Sequence, residues 1–221
     1  MEQEISEEEL KSIAAQLSRP EGKEGIDMAQ LMHETNINMT LSTIQLLALQ
    51  PHDRLLELGH GNCAHLNEIL KQAENVRYYG LEISAAMKEE AEKINAESVA
   101  RDCAVYHLYD GNTIPFEDES FENIMTVNTI YFWEQAVALL KEIYRVLKKG
   151  GKVCITYAHK DFMQKLPFTR HGFELYDQEK IEKLVSQTSF TLADVVHKTE
   201  RVKSKTGEMV ERHFSVAVLE K

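Results

Sequence analysis

The sequence predicts an α/β fold around a doubly wound, mostly parallel sheet, and three observations carry that reading. From Asp53 onward, short apolar runs alternate with stretches of helical periodicity. The first of those runs ends in a glycine turn that opens a helix. Near the C-terminus two long strand-like segments flank turn-prone residues, as in an antiparallel hairpin.

The N-terminal stretch begins with a capping box, Ser6 followed three residues later by Glu9, and then a helical stripe of Leu10, Ile13, Ala14 and Leu17 that Pro20 ends. Gly22 and Gly25 mark a break before two short helical patterns, Met28-Leu31-Met32 and Leu41-Ile44-Leu47-Ala48. Residues 1–50 are therefore read as a helical cap or lid, and 51–221 as one compact domain. Strands are expected at Leu55–Leu58, Val76–Leu81, Ala104–Leu108, Ile124–Val127 and Val153–Tyr157. A crossover helix with the stripe Ala136, Leu139, Leu140, Ile143 and Leu147 stops at Lys148-Lys149-Gly150. Asp177 caps a helix carrying Ile181, Leu184 and Val185, and Leu192–Val202 and Met209–Leu219 form the hairpin around Lys205-Thr206-Gly207. The whole is a Rossmann-like doubly wound seven-stranded sheet, mostly parallel with an antiparallel C-terminal strand, plus N-terminal helices.

Composition narrows the partners. The 25 Lys and Arg against 36 Asp and Glu give a net charge of −11, which repels a phosphate backbone and argues against nucleic acid. No run approaches the ~20 apolar residues of a membrane span, and the acidic start Met-Glu-Gln-Glu is unlike a secretory signal. A cytoplasmic protein is expected, with homodimer formation left open. Cys63, Cys103 and Cys154 are odd in number and dispersed, which suits reduced thiols.

The chemistry concentrates in Leu55-Leu56-Glu57-Leu58-Gly59-His60-Gly61-Asn62-Cys63-Ala64, where glycines let a ligand approach backbone at the carboxyl end of a central strand. A second strand ends in Glu82, placed to accept ribose hydroxyls or to stand at the start of a helix capped by Ser84. Tyr109-Asp110-Gly111-Asn112 and Asn128-Thr129-Ile130-Tyr131-Phe132-Trp133 follow the third and fourth strands on the same sheet edge.

These four segments together resemble the class I S-adenosylmethionine-dependent methyltransferases, in particular the small-molecule branch with a type 11 domain, over residues 51 to 160. The resemblance implies S-adenosylmethionine as cofactor and S-adenosylhomocysteine as product. By that likeness Glu57, Gly59, His60, Gly61 and Asn62 cradle the methionine part. Glu82, with Ile83 and Met87 beside it, holds the ribose. Asp110, Gly111 and Asn112 meet the adenine, and Asn128, Thr129 and Ile130 line the sulfonium end. Leu147-Lys148-Lys149-Gly150-Gly151 is similar to the family's VLKPGG segment, with Lys149 at the proline position, and Asn62 and Cys63 replace the commoner small residues. A planar-amine grip, Asn/Asp-Pro-Pro-aromatic, is replaced by Asn128-Thr129-Ile130-Tyr131, which points to a small-molecule acceptor.

The pattern Gly59-x-Gly61-x-x-Ala64 with Glu82 also satisfies a dinucleotide fingerprint, so an NAD(P)-dependent oxidoreductase stays as an alternative, as does a non-catalytic cofactor-binding module. Acidic Glu57 suits a cationic sulfonium better than a diphosphate. His60, Cys63 and His65 spell a metal-like pattern, but their side chains are expected to diverge, with His60 at the turn surface and Cys63 beneath it; no metal is expected. His159 is the candidate base, because imidazole titrates near neutrality. Met32, Asn36, Met39 and Thr40 resemble the family's lid segment, with Met32, Asn36 and Met39 the expected lid contacts. Tyr131, Trp133, Tyr157 and His171 are candidates for the acceptor wall; the aromatic residues suit core as readily, and His171 suits a solvated loop.

Overall fold

Leu55, Leu56 and Leu58 are fully shielded from solvent, as a central parallel strand covered on both faces requires. They belong to β1 (Arg54–Leu58) in the computed structural model, which describes residues 5–203 and 209–221. β2 (Arg77–Glu82) and β4 (Phe121–Val127) flank β1, both parallel to it. β3 (Ala104–Leu108) extends the sheet beyond β2, and β5 (Leu147–Ala158) extends it beyond β4. β7 (Met209–Glu220) runs antiparallel between β5 and β6 (Thr191–Lys203). The order β3-β2-β1-β4-β5-β7-β6 is the Rossmann-like, mostly parallel seven-stranded sheet that the sequence predicts. The expected turn at Lys205-Thr206-Gly207 and the acidic start lie outside the described residues. Among the described residues no helix is long and apolar enough to cross a membrane, and Cys63, Cys103 and Cys154 are free thiols.

The N-terminal helices depart from expectation in one respect. α1 (Glu7–Ser18) starts at the expected capping box, with the Glu9 carboxylate accepting the Ser6 N–H at 2.7 Å. The two short helices expected next are a single 26-residue helix, α2 (Gly22–Leu47). Gly25 does not interrupt it; α2 passes so close to Pro20 there that an added Cβ would lie 2.7 Å from the Pro20 carbonyl carbon. Apolar periodicity lapses in the middle of α2 because His33, Asn36 and Thr40 face a cleft instead of the core.

The C-terminal half of α2 is part of the core. Met39, Ile44 and Leu47 are buried with the strands, and Thr43 Oγ1 lies 2.6 Å from Thr156 Oγ1 on β5. Within the expected N-terminal segment, residues 39–47 thus pack with the strands, whereas α1 and the first half of α2 border the cleft. The predicted stop at Lys148-Lys149-Gly150 is also different. α5 (Ala136–Val146) passes straight into β5, whose pairing with β4 jumps from Phe121–Leu147 to Asn123–Lys152. Gly150, at φ +74, takes up the extra residues in this bulge.

Ile124 sits in the middle of β4 with no exposure. Its replacement by Ala removes buried methylenes that this packed sheet cannot refill, so Ile124→Ala is expected to lower the unfolding free energy by about 2–5 kcal/mol in urea titrations. A loss below about 1 kcal/mol would contradict the two-sided burial of β4.

Candidate functional site

The sheet reverses its strand order at β1, with β2 on one side and β4 on the other, and a cleft of about 1030 Å³ opens above the carboxyl ends of these strands. Two glycines form its floor. Gly59 has φ +71, and a Cβ there would lie 2.5 Å from Thr129 Cγ2, so β1 and the loop after β4 touch through it. Gly61 has φ +57 and nothing within 4 Å of an added Cβ, which leaves its backbone open. Its N–H donates to Glu82 Oε2 at 3.0 Å, and Glu82 Oε1 accepts from Ile83 N–H at 2.8 Å and Ser84 N–H at 3.1 Å. Three backbone donors thus orient the carboxylate and occupy three of its roughly four acceptor positions. Ser84 is the cap of the next helix, accepting from Met87 N–H at the start of α4 (Ala85–Ile94), and Glu82 stands just before it.

Glu57 lies below the turn, almost fully buried. Its Oε2 accepts from the Tyr78 hydroxyl at 2.6 Å and lies 2.9 Å from His65 Nε2. Burial opposes charge on both partners, but their attraction and hydrogen bonding override it. The carboxyl of Glu57 is held below its ordinary range, and the imidazole of His65 is held above its own. Cys63 donates to the Tyr78 hydroxyl at 3.3 Å, and burial keeps it a thiol. Cys63 and His65 do not diverge as the sequence suggested: with Glu57 they offer side-chain atoms within 4.8 Å of one another. Hydrogen bonding through Glu57 and Tyr78 accounts for that convergence.

His60 is the member of this group that turns away, and it is buried instead of lying at the turn surface. Its Nδ1 is 2.7 Å from the Gly61 carbonyl, so Nδ1 carries the proton and Nε2 a lone pair. The ring fills the space over Gly80, where an added Cβ would be 2.6 Å from His60 Cδ2. Burial lowers its pKa, so the ring is neutral.

Across the cleft, Met32, Asn36 and Thr40 line the wall, together with His33, which sequence reasoning did not assign to the site. Its spacing along α2 is the signal that could have found it, since positions 29, 32, 33, 36 and 40 form one stripe. Met39 lies underneath, fully buried, with its sulfur accepting from Asn128 Nδ2 at 3.4 Å. Asn128, at φ +58, is oriented by Tyr131, whose hydroxyl donates to Asn128 Oδ1 at 2.9 Å and accepts the Ala158 N–H at 2.6 Å. Trp133 Nε1 donates to Thr129 Oγ1 at 3.2 Å, and Asn62, Thr129 and Trp133 complete the wall.

Several expected site residues lie elsewhere. Met87 and Ile130 are fully buried behind the wall, and Asn112 is exposed. Asp110 caps its own loop, its Oδ1 accepting Asn112 N–H at 2.8 Å and Thr113 N–H at 2.6 Å, while Ile83, Tyr109 and Gly111 form that end of the cleft. Strand alternation sends Tyr157 and His159 to the opposite face from Thr156 and Ala158. Tyr157 packs on Tyr176, and His159 Nε2 lies 2.5 Å from Ser215 Oγ with His197 and His213 beside it. His159 therefore has no route to the cleft as a base. His171 lies 3.0 Å from Glu7 of α1 and ties that helix to the turn at Pro167–Arg170.

A second chamber of about 1480 Å³ adjoins the cleft. Leu17, Met32, Asn36, Asn128 and Phe132 line both and form the neck between them. Its walls are apolar side chains of α1, α2 and the segment after β5, and Tyr131 faces it. Arg212 of β7 borders it, donating through Nε and Nη2 to Glu200 Oε1 at 2.9 and 2.7 Å, through Nη1 to Asn36 Oδ1 at 2.9 Å and through Nη2 to the Thr35 carbonyl at 2.6 Å.

Residues 56–155 match the family described as a methyltransferase domain. The uncharacterized methyltransferase YdaC of Bacillus subtilis (strain 168) is 32% identical over 124 residues, spanning 54% of this chain and 65% of that protein. The chain spans less than two thirds of the length of the first curated relatives it matches. A SAM-dependent methyltransferase from Aquifex aeolicus has a similar structure, with TM-score 0.68 and 16% identity over 87% of this chain and 97% of that one. Haemonchus contortus phosphoethanolamine N-methyltransferase 2, in complex with phosphomonomethylethanolamine and S-adenosylhomocysteine, gives TM-score 0.69 and 17% identity over 96% of this chain and 60% of that one. At these identities the two structures bear on the fold alone. Residues 56–155, which hold the glycine turn and most of the cleft floor, are thus similar to the methyltransferase domain, and the sheet has the fold of these solved methyltransferases.

Proposed function

We propose that the protein transfers the methyl group of S-adenosylmethionine to a small-molecule acceptor. The observation that carries this reading is the cleft at the β1–β4 reversal, with its open glycine turn and oriented carboxylate, joined by a neck to a second, apolar chamber. The donor set fits the cofactor. Gly59 and Gly61 give the methionine part access to backbone, the remaining acceptor position of Glu82 suits a ribose hydroxyl, and Ile83, Tyr109 and Gly111 offer an apolar seat for the base.

When bound, S-adenosylmethionine supplies a methyl group on a cationic sulfur that is already activated for displacement. The residues of this chain then have to align and desolvate. α1 and the first half of α2 cover the cleft, and Met32 and Asn36 narrow its passage to the second chamber. Tyr131 fixes Asn128 at that passage. If the acceptor loses a proton, His33 takes the role the sequence gave to His159. It lines the cleft, and burial together with the neighbouring His65 pushes its pKa down, so its neutral ring is ready to accept a proton near pH 7.

Two observations weigh against the dinucleotide alternative. Among the described residues, no Lys or Arg lines the cleft to meet a diphosphate. The helix after the glycine turn, α3 (Leu66–Leu70), is five residues long and starts well past Gly61, so it aims no long helix N-terminus at a phosphate. A phosphate-bearing acceptor like that in the Haemonchus structure is also poorly served by the second chamber, where Arg212 is already paired with Glu200.

Titration calorimetry tests the cofactor assignment. The full chain is expected to bind S-adenosylmethionine and not NAD, and the reverse preference would overturn the proposal. Glu82→Ala is expected to weaken S-adenosylmethionine binding by about 1.5–3 kcal/mol, the range for hydrogen bonds to a charged group, with unchanged affinity counting against the ribose role. Gly59→Val is expected to abolish binding, because its side chain meets Thr129 at a backbone conformation that disfavours β-branching.

The Glu57–His65 pair gives a pH signature. The depressed carboxyl stabilises the fold above its ordinary pKa of about 4.3 and loses that effect as pH falls through its folded value. The raised imidazole stabilises fully below about 6.5 and loses that effect as pH rises through its folded value. In urea unfolding, the stability deficit of His65→Gln relative to the unaltered chain is therefore expected to be larger near pH 6 than near pH 8.5. A deficit that is equal or larger at the higher pH would show that His65 is uncharged in the folded protein.

A further inference from the structure

Resting on the cofactor reading above, we infer that the second chamber is the acceptor site and that it takes a neutral, largely apolar molecule with one polar end. The chamber and the cofactor cleft are one continuous space, because Leu17, Met32, Asn36, Asn128 and Phe132 line both. A molecule seated in the chamber can thus extend one end through the neck into the cleft. The cavity beside Lys71 and Arg101, by contrast, shares no lining residue with the cleft.

The wall chemistry selects the ligand. α1 and α2 contribute Ile13, Met28 and Leu31, and the segment after β5 contributes Phe162 and Phe173, surfaces that gain from removing hydrocarbon from water. Leu31, on this lining, is 40% exposed. Among the described residues, the one charged group bordering the chamber is Arg212. It and Glu200 are about nine-tenths buried and paired with each other, so the guanidinium brings no net charge for an anion to neutralise. Burying a carboxylate or phosphate in this apolar space without a free cation is costly.

The polar atoms left over sit at the neck end. Toward the described residues Arg212 uses Nε once, Nη1 once and Nη2 twice, which is four of its five N–H donors. The amide oxygen of Asn36 is held by Arg212, while its Nδ2 has no hydrogen-bond partner among the described residues. A neutral oxygen or nitrogen at the polar end of the acceptor matches these donors, and places the methyl-accepting end toward the cleft and the hydrocarbon body toward Leu31 and Phe162.

The test uses the full chain saturated with S-adenosylhomocysteine and the neutral fluorophore 1-aminoanthracene, displaced by 1-decanol or by sodium decanoate at about pH 8, where the carboxylate is ionised. The fluorophore is expected to bind, and 1-decanol to displace it at a concentration roughly tenfold or more below that needed for decanoate. Leu31→Asp, at a half-exposed position that tolerates the change in folding, is expected to weaken fluorophore binding about tenfold or more while leaving S-adenosylhomocysteine affinity within about twofold. Decanoate displacing as well as decanol, or fluorophore binding that ignores Leu31→Asp in a variant still binding S-adenosylhomocysteine, would overturn the inference. Failure of the unaltered chain to bind S-adenosylhomocysteine would instead overturn the cofactor reading beneath it.

Discussion

Because β2 lies on one side of β1 and β4 on the other, the segments leaving their carboxyl ends turn apart, and their divergence leaves a crevice that the sheet itself cannot fill. Everything in the site answers to that gap. Gly59 lets the turn after β1 press against Thr129 of the loop after β4. Glu82, at the end of β2, reaches back and fastens the same turn through Gly61 N–H. α2 then lies across the opening, its apolar C-terminal half anchored in the core and its polar middle facing the space below.

The electrostatics follow the same division between floor and wall. Beneath the turn, Glu57 is compensated within the protein by His65 and Tyr78, so this acid supports the fold and shapes the floor more than it offers a free charge. Glu82 is held by the backbone N–H groups of Gly61, Ile83 and Ser84 and lines the cleft. At the neck the arrangement changes again, since Arg212 and Glu200 cancel one another beside an apolar chamber. One cleft therefore joins an end suited to a cationic, hydroxyl-rich cofactor with an end suited to hydrocarbon.

Much of this was legible in the sequence because it depends on local pattern. Apolar runs bounded by polar turns located all seven strands, and Glu82 could be placed by its distance from Gly61. The continuity of α2 was hidden by its own function: a helix facing a polar cleft loses its apolar stripe at the residues that do the facing, His33, Asn36 and Thr40. Asp110 has a local task that its sequence position does not reveal, capping its own turn through Oδ1 between two residues that line the cleft, Tyr109 and Gly111. The role given to His159 failed on strand parity, which cannot be applied until it is known that α2 packs on the face carrying Thr156. The second chamber had no sequence signature, since its walls come from α1, α2, the segment after β5 and the terminal hairpin, brought together only by the fold.

Hydrogen exchange of the full chain with and without S-adenosylhomocysteine tests the central claim, that the crevice between β1 and β4 beneath α2 is the cofactor site. Ligand-induced protection is predicted at the amides of Gly59 to Asn62, at Ile83 and along residues 29–40 of α2. Binding accompanied by protection at none of these segments would contradict the account.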